Sequence, residues 1–162
     1  YYRHMTRLKN QGCDVTYYHD EIGYNYRLEG LQCAVLSVSL KYLPQWTARR
    51  QEIGRRYERE ITNPLIQMQA HPGNTETVYH LFVVKVEERD RLIQYMADAD
   101  VECNRHYPVP CHLQKAYAHL GYRRGDCPNA ERLAERCVTL PLFPEMREKE
   151  IERVIELCNR FR

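Results

Sequence analysis

A helical spacing of apolar residues runs from Leu28 to Ile61, and this feature limits most strongly how the chain can fold. The run recurs at intervals of three and four, with Arg50 as its one charged member, in the order Leu28, Leu31, Val35, Val38, Tyr42, Trp46, Arg50, Ile53, Tyr57 and Ile61. Pro44 interrupts the run and Asn63-Pro64 ends it, because proline lacks a donor and restricts the residue before it. Residues 28–62 are therefore predicted to form either one helix kinked at Pro44 or a pair of helices.

The rest of the chain mixes short strands with helices. Residues 1–22 are polar and tyrosine-rich, which predicts a loop-rich segment. Alternation from Val78 to Val86 predicts a strand, and His80 falls on its apolar face, where a histidine usually packs as a core residue. A short strand is predicted at 138–140. The last helix shows the clearest single face, which consists of Ile151, Val154, Ile155, Cys158 and Phe161. The sum predicts an α+β fold, with a short antiparallel or mixed sheet packed against helices.

The charge balance argues against nucleic acid as a partner. The net charge is +2 over 162 residues, which gives no strongly basic surface. A local cluster of arginines, Arg49, Arg50, Arg55, Arg56 and Arg59, is interleaved with Glu52, Glu58 and Glu60. This pattern is typical of a solvated helix face with local ion pairs, and nucleic-acid binding through that helix is the weaker alternative.

The cysteines and histidines do not form a recognisable metal or disulfide pattern. There are seven of each, and no cysteine pair has the spacing of a zinc site. We therefore expect no metal and reduced thiols, as in a cytoplasmic protein. No apolar run reaches the length of about 18 residues that a spanning helix needs, so no membrane partner is expected.

Three separated motifs occur in order along the chain. The first is GYNYRL at 23–28, followed by LQCAVL at 31–36; the second is HYPVP at 106–110, followed by HLQ at 112–114. The third is GDCPNAE at 125–131, followed by LPLFP at 140–144. Together they resemble the signatures of the DegT/StrS family of nucleotide-sugar aminotransferases. Within the family, the residues of these motifs are most similar to those of enzymes acting on dTDP-linked 3-keto-6-deoxyhexoses.

The resemblance implies a particular architecture. The family has the aspartate-aminotransferase (type I PLP) fold, in which a small C-terminal domain closes over a large cofactor domain. By this resemblance residues 63–162 form the small domain and 28–62 the connecting helix or kinked pair. Residues 1–27 are then a remnant of the large domain.

The same resemblance implies a cofactor, two substrates and a dimer. Pyridoxal phosphate (PLP) serves amino transfer from glutamate to a nucleotide-linked keto-deoxysugar, at a homodimer interface. It assigns cofactor binding to Asn25 and Arg27, and substrate binding to His106, Tyr107 and Tyr18.

Each assignment has a structural alternative. Asn25 is also typical of a turn before a helix. Arg27 can equally pair with Glu21 or Glu29. The residues at 106–107 also fit a packed loop without a ligand.

The lysine that would bind PLP covalently is not found among the five lysines, which are Lys9, Lys41, Lys85, Lys115 and Lys149. None lies in the family's lysine motif, and the sequence starts without methionine. We therefore expect a C-terminal fragment with no catalytic residue of its own, inactive and without bound PLP when alone. The alternative is a non-catalytic interaction domain that reuses the small-domain fold.

Overall fold

The computed structural model describes all 162 residues and divides into two compact units, Tyr1–Pro44 and Gln45–Arg162. The helices are α1 (Tyr2–Lys9), α2 (Gly30–Ser39), α3 (Leu43–Glu60), α4 (Arg89–Ala97), α5 (Pro128–Arg136) and α6 (Glu148–Arg160). The strands are β1 (Phe82–Lys85) and β2 (Cys137–Leu140), and 3₁₀ turns cover Cys111–Leu113 and Lys115–Leu120. No helix combines the length and apolar character that crossing a bilayer requires.

Helix α1 was not predicted by the sequence, which indicated a loop over residues 1–22. The carbonyl groups at its C-terminal end accept bonds from residues further along the chain. Gly12 N donates to Arg7 O at 2.9 Å, and Tyr24 N donates to Leu8 O at 2.7 Å. A local pattern cannot reveal such partners, so the weak periodicity of the segment was misleading.

The predicted break at Pro44 is confirmed. Helix α2 ends at Ser39, α3 begins at Leu43, and Pro44 is the second residue of α3. The N–H groups in the first turn of a helix have no intrahelical partner, so the missing N–H of Pro44 costs no hydrogen bond there.

Strands β1 and β2 pair antiparallel, with Phe82 opposite Leu140 and Lys85 opposite Cys137. Single bridges extend the ladder on both sides, from Gln67 to Lys85 and from Asn104 to Thr139. The sheet therefore orders four chain segments in unit 2, two of them very short.

The predicted strand from Val78 is shorter than expected, and the prediction for His80 was wrong. Tyr79 has a φ of 45°, and this left-handed conformation breaks the alternation ahead of β1. Tyr79 is consequently buried, while His80 and Val78 are exposed. The Tyr79 ring lies against Gly54 of α3, and its hydroxyl donates to Glu58 Oε1 at 3.0 Å.

The core of unit 2 lies between the sheet and helices α3, α4 and α6. Its fully buried side chains include Ile53, Tyr57, Val84, Leu92, Met96, Val138, Leu140, Ile151 and Cys158. All five residues of the predicted face of the last helix are buried, as expected. Each large apolar side chain buried in this way contributes about 1.5–3 kcal/mol.

Two asparagines cap the C-terminal ends of α3 and α6 reciprocally. Asn63, which follows α3, donates its amide to Cys158 O at 2.8 Å and to Phe161 O at 2.7 Å. Asn159 of α6 donates to Glu60 O, at the end of α3, at 2.8 Å. The carbonyl groups that a helix end leaves unpaired are thus satisfied by the neighbouring helix.

Candidate functional site

In unit 1, an extended segment presents Asn25. Tyr26 N donates to Lys9 O at 3.0 Å, and Asn25 forms a bridge with Asn10, so the segment is held along the end of α1. The rings of Tyr24 and Tyr26 stack on each other at 5.0 Å. Because side chains alternate along an extended chain, Asn25 points away from these two rings.

Asn25 and Arg27 are brought together on that face. Arg27 Nε donates to Asn25 Oδ1 at 3.0 Å, and both side chains are exposed. No ion pair joins Arg27 to Glu21 or Glu29; Glu21 pairs instead with His4 and Arg7.

Several donors remain beside this bond. The bond takes one lone pair of the Asn25 amide oxygen, and the structure records no hydrogen bond from the Asn25 amide nitrogen or from the terminal guanidinium nitrogens of Arg27. A paired amide and guanidinium of this kind suit a phosphate group, because charge-assisted N–H donors favour anionic oxygen.

Tyr18 lies elsewhere in the same unit and is 72% exposed. Its backbone N donates to Val15 O at 2.9 Å, which closes a tight turn. The adjacent His19 is held by Gln11 O through Nδ1 at 2.8 Å. The structure records no hydrogen bond from the Tyr18 hydroxyl. The hydroxyl is therefore available to a ligand, but no hydrogen bond fixes the orientation of the ring.

In unit 2, His106 and Tyr107 begin a segment that we call the strap, residues 106–112. His106 Nδ1 is 2.9 Å from Thr139 Oγ1 of β2, and the ring is half-buried. The following Tyr107 is 71% exposed, and the peptide bond between the two residues is cis. The strap therefore places one ring against the sheet and the next in solvent.

The far end of the strap meets a buried carboxylate. His112 Nε2 lies 3.0 Å from Glu131 Oε1, and each side chain is only 9% exposed. The same carboxylate accepts the backbone N–H of Gly125 at 2.9 Å and that of Cys127 at 3.3 Å.

These bonds determine the charge of Glu131. Burial alone would raise the pKa of the Glu131 carboxyl, but hydrogen bonds from Gly125, His112 and Cys127 hold this pKa below its ordinary value. Since the carboxylate is an acceptor, the Nε2 atom of His112 carries the proton.

Glu131 is the last residue of the motif at 125–131, and the sequence indicates no role for it. The available signal was its position in the first turns of α5, four residues after Cys127, where a carboxylate can accept loop N–H groups.

The predicted local ion pairs of α3 are found for three of its five arginines, Arg49, Arg56 and Arg59. Arg49 pairs with Glu52 at 2.8 Å and Arg56 pairs with Glu60 at 3.0 Å. Both arginines also reach Glu148, the first residue of α6, at 2.8 and 2.6 Å. These ion pairs disfavour the nucleic-acid interpretation of this helix.

A cleft of about 700 Å³ in unit 2 is not lined by the predicted site residues. It is bordered by the end of β2, the start of α6 and the segment 99–104, and neither His106 nor Tyr107 lines it. No group of His, Cys, Asp or Glu side chains is arranged to hold a metal ion.

Comparison with known proteins gives consistent matches over nearly the whole chain. Residues 1–159 match the profile of the DegT/DnrJ/EryC1/StrS aminotransferase family. A dTDP-3-amino-3,6-dideoxy-alpha-D-galactopyranose transaminase of Aneurinibacillus thermoaerophilus is 38% identical over 154 residues, which are 95% of this chain and 42% of the relative. The chain thus spans less than half the length of this relative.

Solved structures agree. S. venezuelae DesV superposes with a TM-score of 0.92 and 33% identity, over 98% of this chain and 43% of that one. Spr1654 of Streptococcus pneumoniae, described as a sugar aminotransferase and solved in its PLP form, superposes with a TM-score of 0.85. It is 28% identical, over 98% of this chain and 42% of that one.

Proposed function

The chain belongs to the DegT/DnrJ/EryC1/StrS aminotransferase family, and on that premise we propose that it forms the C-terminal part of a nucleotide-sugar aminotransferase. The complete enzyme transfers an amino group from glutamate to a keto-deoxysugar linked to a nucleotide. The observation that carries the proposal is the donor pair Asn25–Arg27, which lies within the family match and whose free N–H groups suit a cofactor phosphate. The transaminase of A. thermoaerophilus supports a dTDP-linked sugar as the acceptor.

We assign residues 63–162 to the small C-terminal domain of the type I PLP fold. Residues 28–62 connect it to the large cofactor domain, of which residues 1–27 are part. The division of the structure between Pro44 and Gln45 falls within this connection, which supports the assignment.

PLP fits the donor set of unit 1. Asn25 and Arg27 would hold its phosphate, and the lysine that anchors the aldehyde would come from outside these 162 residues. When bound, PLP supplies the electron sink that amino transfer requires. This chain contributes binding and orientation, and its own lysines have no part in the chemistry.

The strap and Tyr18 would contact the sugar nucleotide. Tyr107 offers an exposed hydroxyl that can donate to a sugar or phosphate oxygen. His106 is oriented by Thr139 through Nδ1, which leaves Nε2 available for the substrate. Tyr18 offers a second exposed hydroxyl in unit 1.

A homodimer fits the apolar surface of unit 1. Leu31 is 80% exposed and Val35 is 60% exposed on α2, which carries no charged residue. Apolar surface of this kind is usually covered by another polypeptide. We expect the isolated chain to associate, and multi-angle light scattering should report a mass above 19.4 kDa that rises with concentration. A monomer over a hundredfold range of concentration would contradict this.

The decisive test replaces Asn25 in the full-length protein. Asn25→Asp keeps the shape of the side chain but turns its free donor into an anion. Loss of a hydrogen bond to a charged group costs about 1.5–3 kcal/mol, so the Kd for PLP should rise about tenfold to a hundredfold. Equilibrium titration of apoprotein with PLP, followed by absorbance, measures this change.

The matched control is Arg3→Ala, which removes an exposed side chain from α1 without touching the donor pair. Its Kd for PLP should equal that of the wild type. If Asn25→Asp also binds PLP as the wild type does, the phosphate role of Asn25 is wrong. If the full-length protein neither binds PLP nor transfers an amino group to a dTDP-linked keto sugar, the alternative of a non-catalytic interaction domain is favoured.

A further inference from the structure

The strap is held by hydrogen bonds at both ends and, between them, by a long thiol contact from Cys137 Sγ to Tyr107 O at 3.9 Å. At its start, Asn104 bridges Thr139, and Thr139 Oγ1 is 2.9 Å from His106 Nδ1. At its end, His112 bonds Glu131 at 3.0 Å. Between these points Tyr107 and Val109 are 71% and 41% exposed. Two prolines between the ends restrict the backbone to extended conformations. The orientation of Tyr107 therefore depends on the two ends of the strap.

The two ends differ in what holds them. The first belongs to a backbone ladder, since Asn104 and Thr139 exchange N–H···O bonds at 3.1 and 2.8 Å. The second depends on one side chain, because Gln114 adds only a long bond of 3.4 Å to Val109 O. The His112 end is thus the one that a single substitution can release.

Glu131 holds more than the strap. Both of its oxygens accept from Gly125 N, at 2.9 and 3.0 Å, and Oε1 also accepts from Cys127 N. The carboxylate therefore joins the strap, the loop at 125–127 and the start of α5 in one cluster. A buried carboxylate with this many donors is rigid, and removing it leaves several N–H groups without partners.

We propose that Glu131 is a positioning residue, which fixes the His112 end of the strap and so presents Tyr107 to the sugar-nucleotide substrate. This inference rests on the proposed function, in which Tyr107 contacts that substrate. Glu131 itself touches neither substrate nor cofactor. It acts through His112 and the backbone of the strap.

The charge of Glu131, beyond its size, is required. With its amide oxygen in the Oε1 position, a glutamine would place its amide nitrogen about 3.0 Å from Gly125 N, donor against donor. With the two atoms exchanged, the amide nitrogen would face Cys127 N instead. Glu131→Gln therefore removes the charge and leaves at least one N–H of the cluster poorly paired. Glu135→Gln is the matched control, because Glu135 is an exposed carboxylate one turn later on α5 that pairs only with Arg124.

The experiment compares the two variants in the full-length, PLP-loaded enzyme by two measurements. The first is hydrogen–deuterium exchange of peptides covering 104–114 and 122–128. We expect exchange about tenfold faster there in Glu131→Gln than in the wild type, with no change in peptides from α3 and α6. Glu135→Gln should match the wild type throughout.

The second measurement separates the two substrates. In Glu131→Gln the KM for the sugar nucleotide should rise about tenfold or more, with kcat changed much less. The release of 2-oxoglutarate from glutamate in the absence of sugar should be unchanged, because the strap has no part in binding the amino donor. A merely structural role would weaken both substrates alike and accelerate exchange everywhere.

Three results are decisive against the inference. The first is unchanged exchange in the strap, and the second is an equal loss with glutamate and with sugar. The third is faster strap exchange with an unchanged KM for the sugar nucleotide. A wild-type enzyme that releases 2-oxoglutarate from glutamate but does not aminate the sugar nucleotide would instead contradict the proposed substrate. Exchange would then still decide whether Glu131 anchors the strap.

Discussion

Helices α2 and α3 carry the same apolar spacing but differ in what covers them. On α3, Ile53 and Tyr57 are fully buried in the core of unit 2. On α2 no residue is buried, and Leu31 and Val35 are 80% and 60% exposed. The spacing thus indicates that a helix has an apolar face, but not whether the same chain supplies the surface that buries it.

The two units differ in the same way. Unit 2 contains a continuous core from Ile53 to Phe161, while in unit 1 only Gly12 and Cys13 are buried. Unit 2 therefore has the apolar burial that independent stability requires, and unit 1 does not. Three substitution pairs test this contrast, and a single substitution in unit 2 adds a smaller effect.

The largest effect is expected from a core truncation. Ile151→Ala removes a fully buried side chain of α6 and should lower the free energy of unfolding by about 2–5 kcal/mol. Leu31→Ala removes an exposed side chain and, at concentrations low enough to keep the chain monomeric, should change this free energy by less than about 0.5 kcal/mol. Urea unfolding followed by far-UV circular dichroism measures the free energy of unfolding of both variants. An equal decrease in the two would contradict the difference between the units.

A glycine pair gives the next effect. A Cβ on Gly54 would lie 2.6 Å from the Tyr79 ring, so Gly54→Ala should destabilise unit 2 by about 1–3 kcal/mol, although alanine is the better helix former. A Cβ on Gly30 of α2 meets nothing, and Gly30→Ala should be neutral or stabilising by up to about 1 kcal/mol. The same urea experiment applies, and a stable Gly54→Ala would show that Tyr79 does not require this close approach.

An asparagine pair separates stability from binding. Asn63→Ala removes two bonds to the end of α6 and should cost about 1–2 kcal/mol. Asn25→Ala should leave unfolding unchanged, because Asn25 is exposed and bonded only to Arg27 and along the backbone. The midpoints of thermal unfolding of the two variants test this difference. A lowered midpoint for Asn25→Ala would show that Asn25 also stabilises the fold.

The smallest effect concerns pH. Hydrogen bonds from Arg89 and Arg105 lower the pKa of Asp90 from 3.8 to about 2. Because this pKa is depressed in the folded state, the stabilisation is present above the ordinary pKa and is lost as pH falls toward 2. Asp90 is largely exposed, so Asp90→Asn should cost no more than about 1 kcal/mol at neutral pH. Urea midpoints of wild type and variant should converge as the solution is acidified, and a constant difference would exclude this ion pair as its source.

The sequence predicted those parts of the fold that depend on local spacing. The break at Pro44, the buried face of α6 and the pairs Arg49–Glu52 and Arg56–Glu60 within α3 all follow from residues a few positions apart. The failures have nonlocal causes: α1 is capped by residues from 12 to 26, and the backbone at Tyr79 reverses the expected face of His80. At the site, the motifs indicated Asn25, Arg27 and His106, but they could not join His112 to Glu131, because these two residues are 19 positions apart.

The reciprocal asparagine caps also determine how unit 2 opens. Helices α3 and α6 run in the same direction, since Glu148 meets Arg49 and Arg56 at one end and Asn63 and Asn159 exchange caps at the other. Fraying of either C-terminus breaks a bond that closes the other helix, so neither can melt from its end alone. Loss of Asn159 would consequently loosen α3, a helix that ends about 100 positions earlier in the chain.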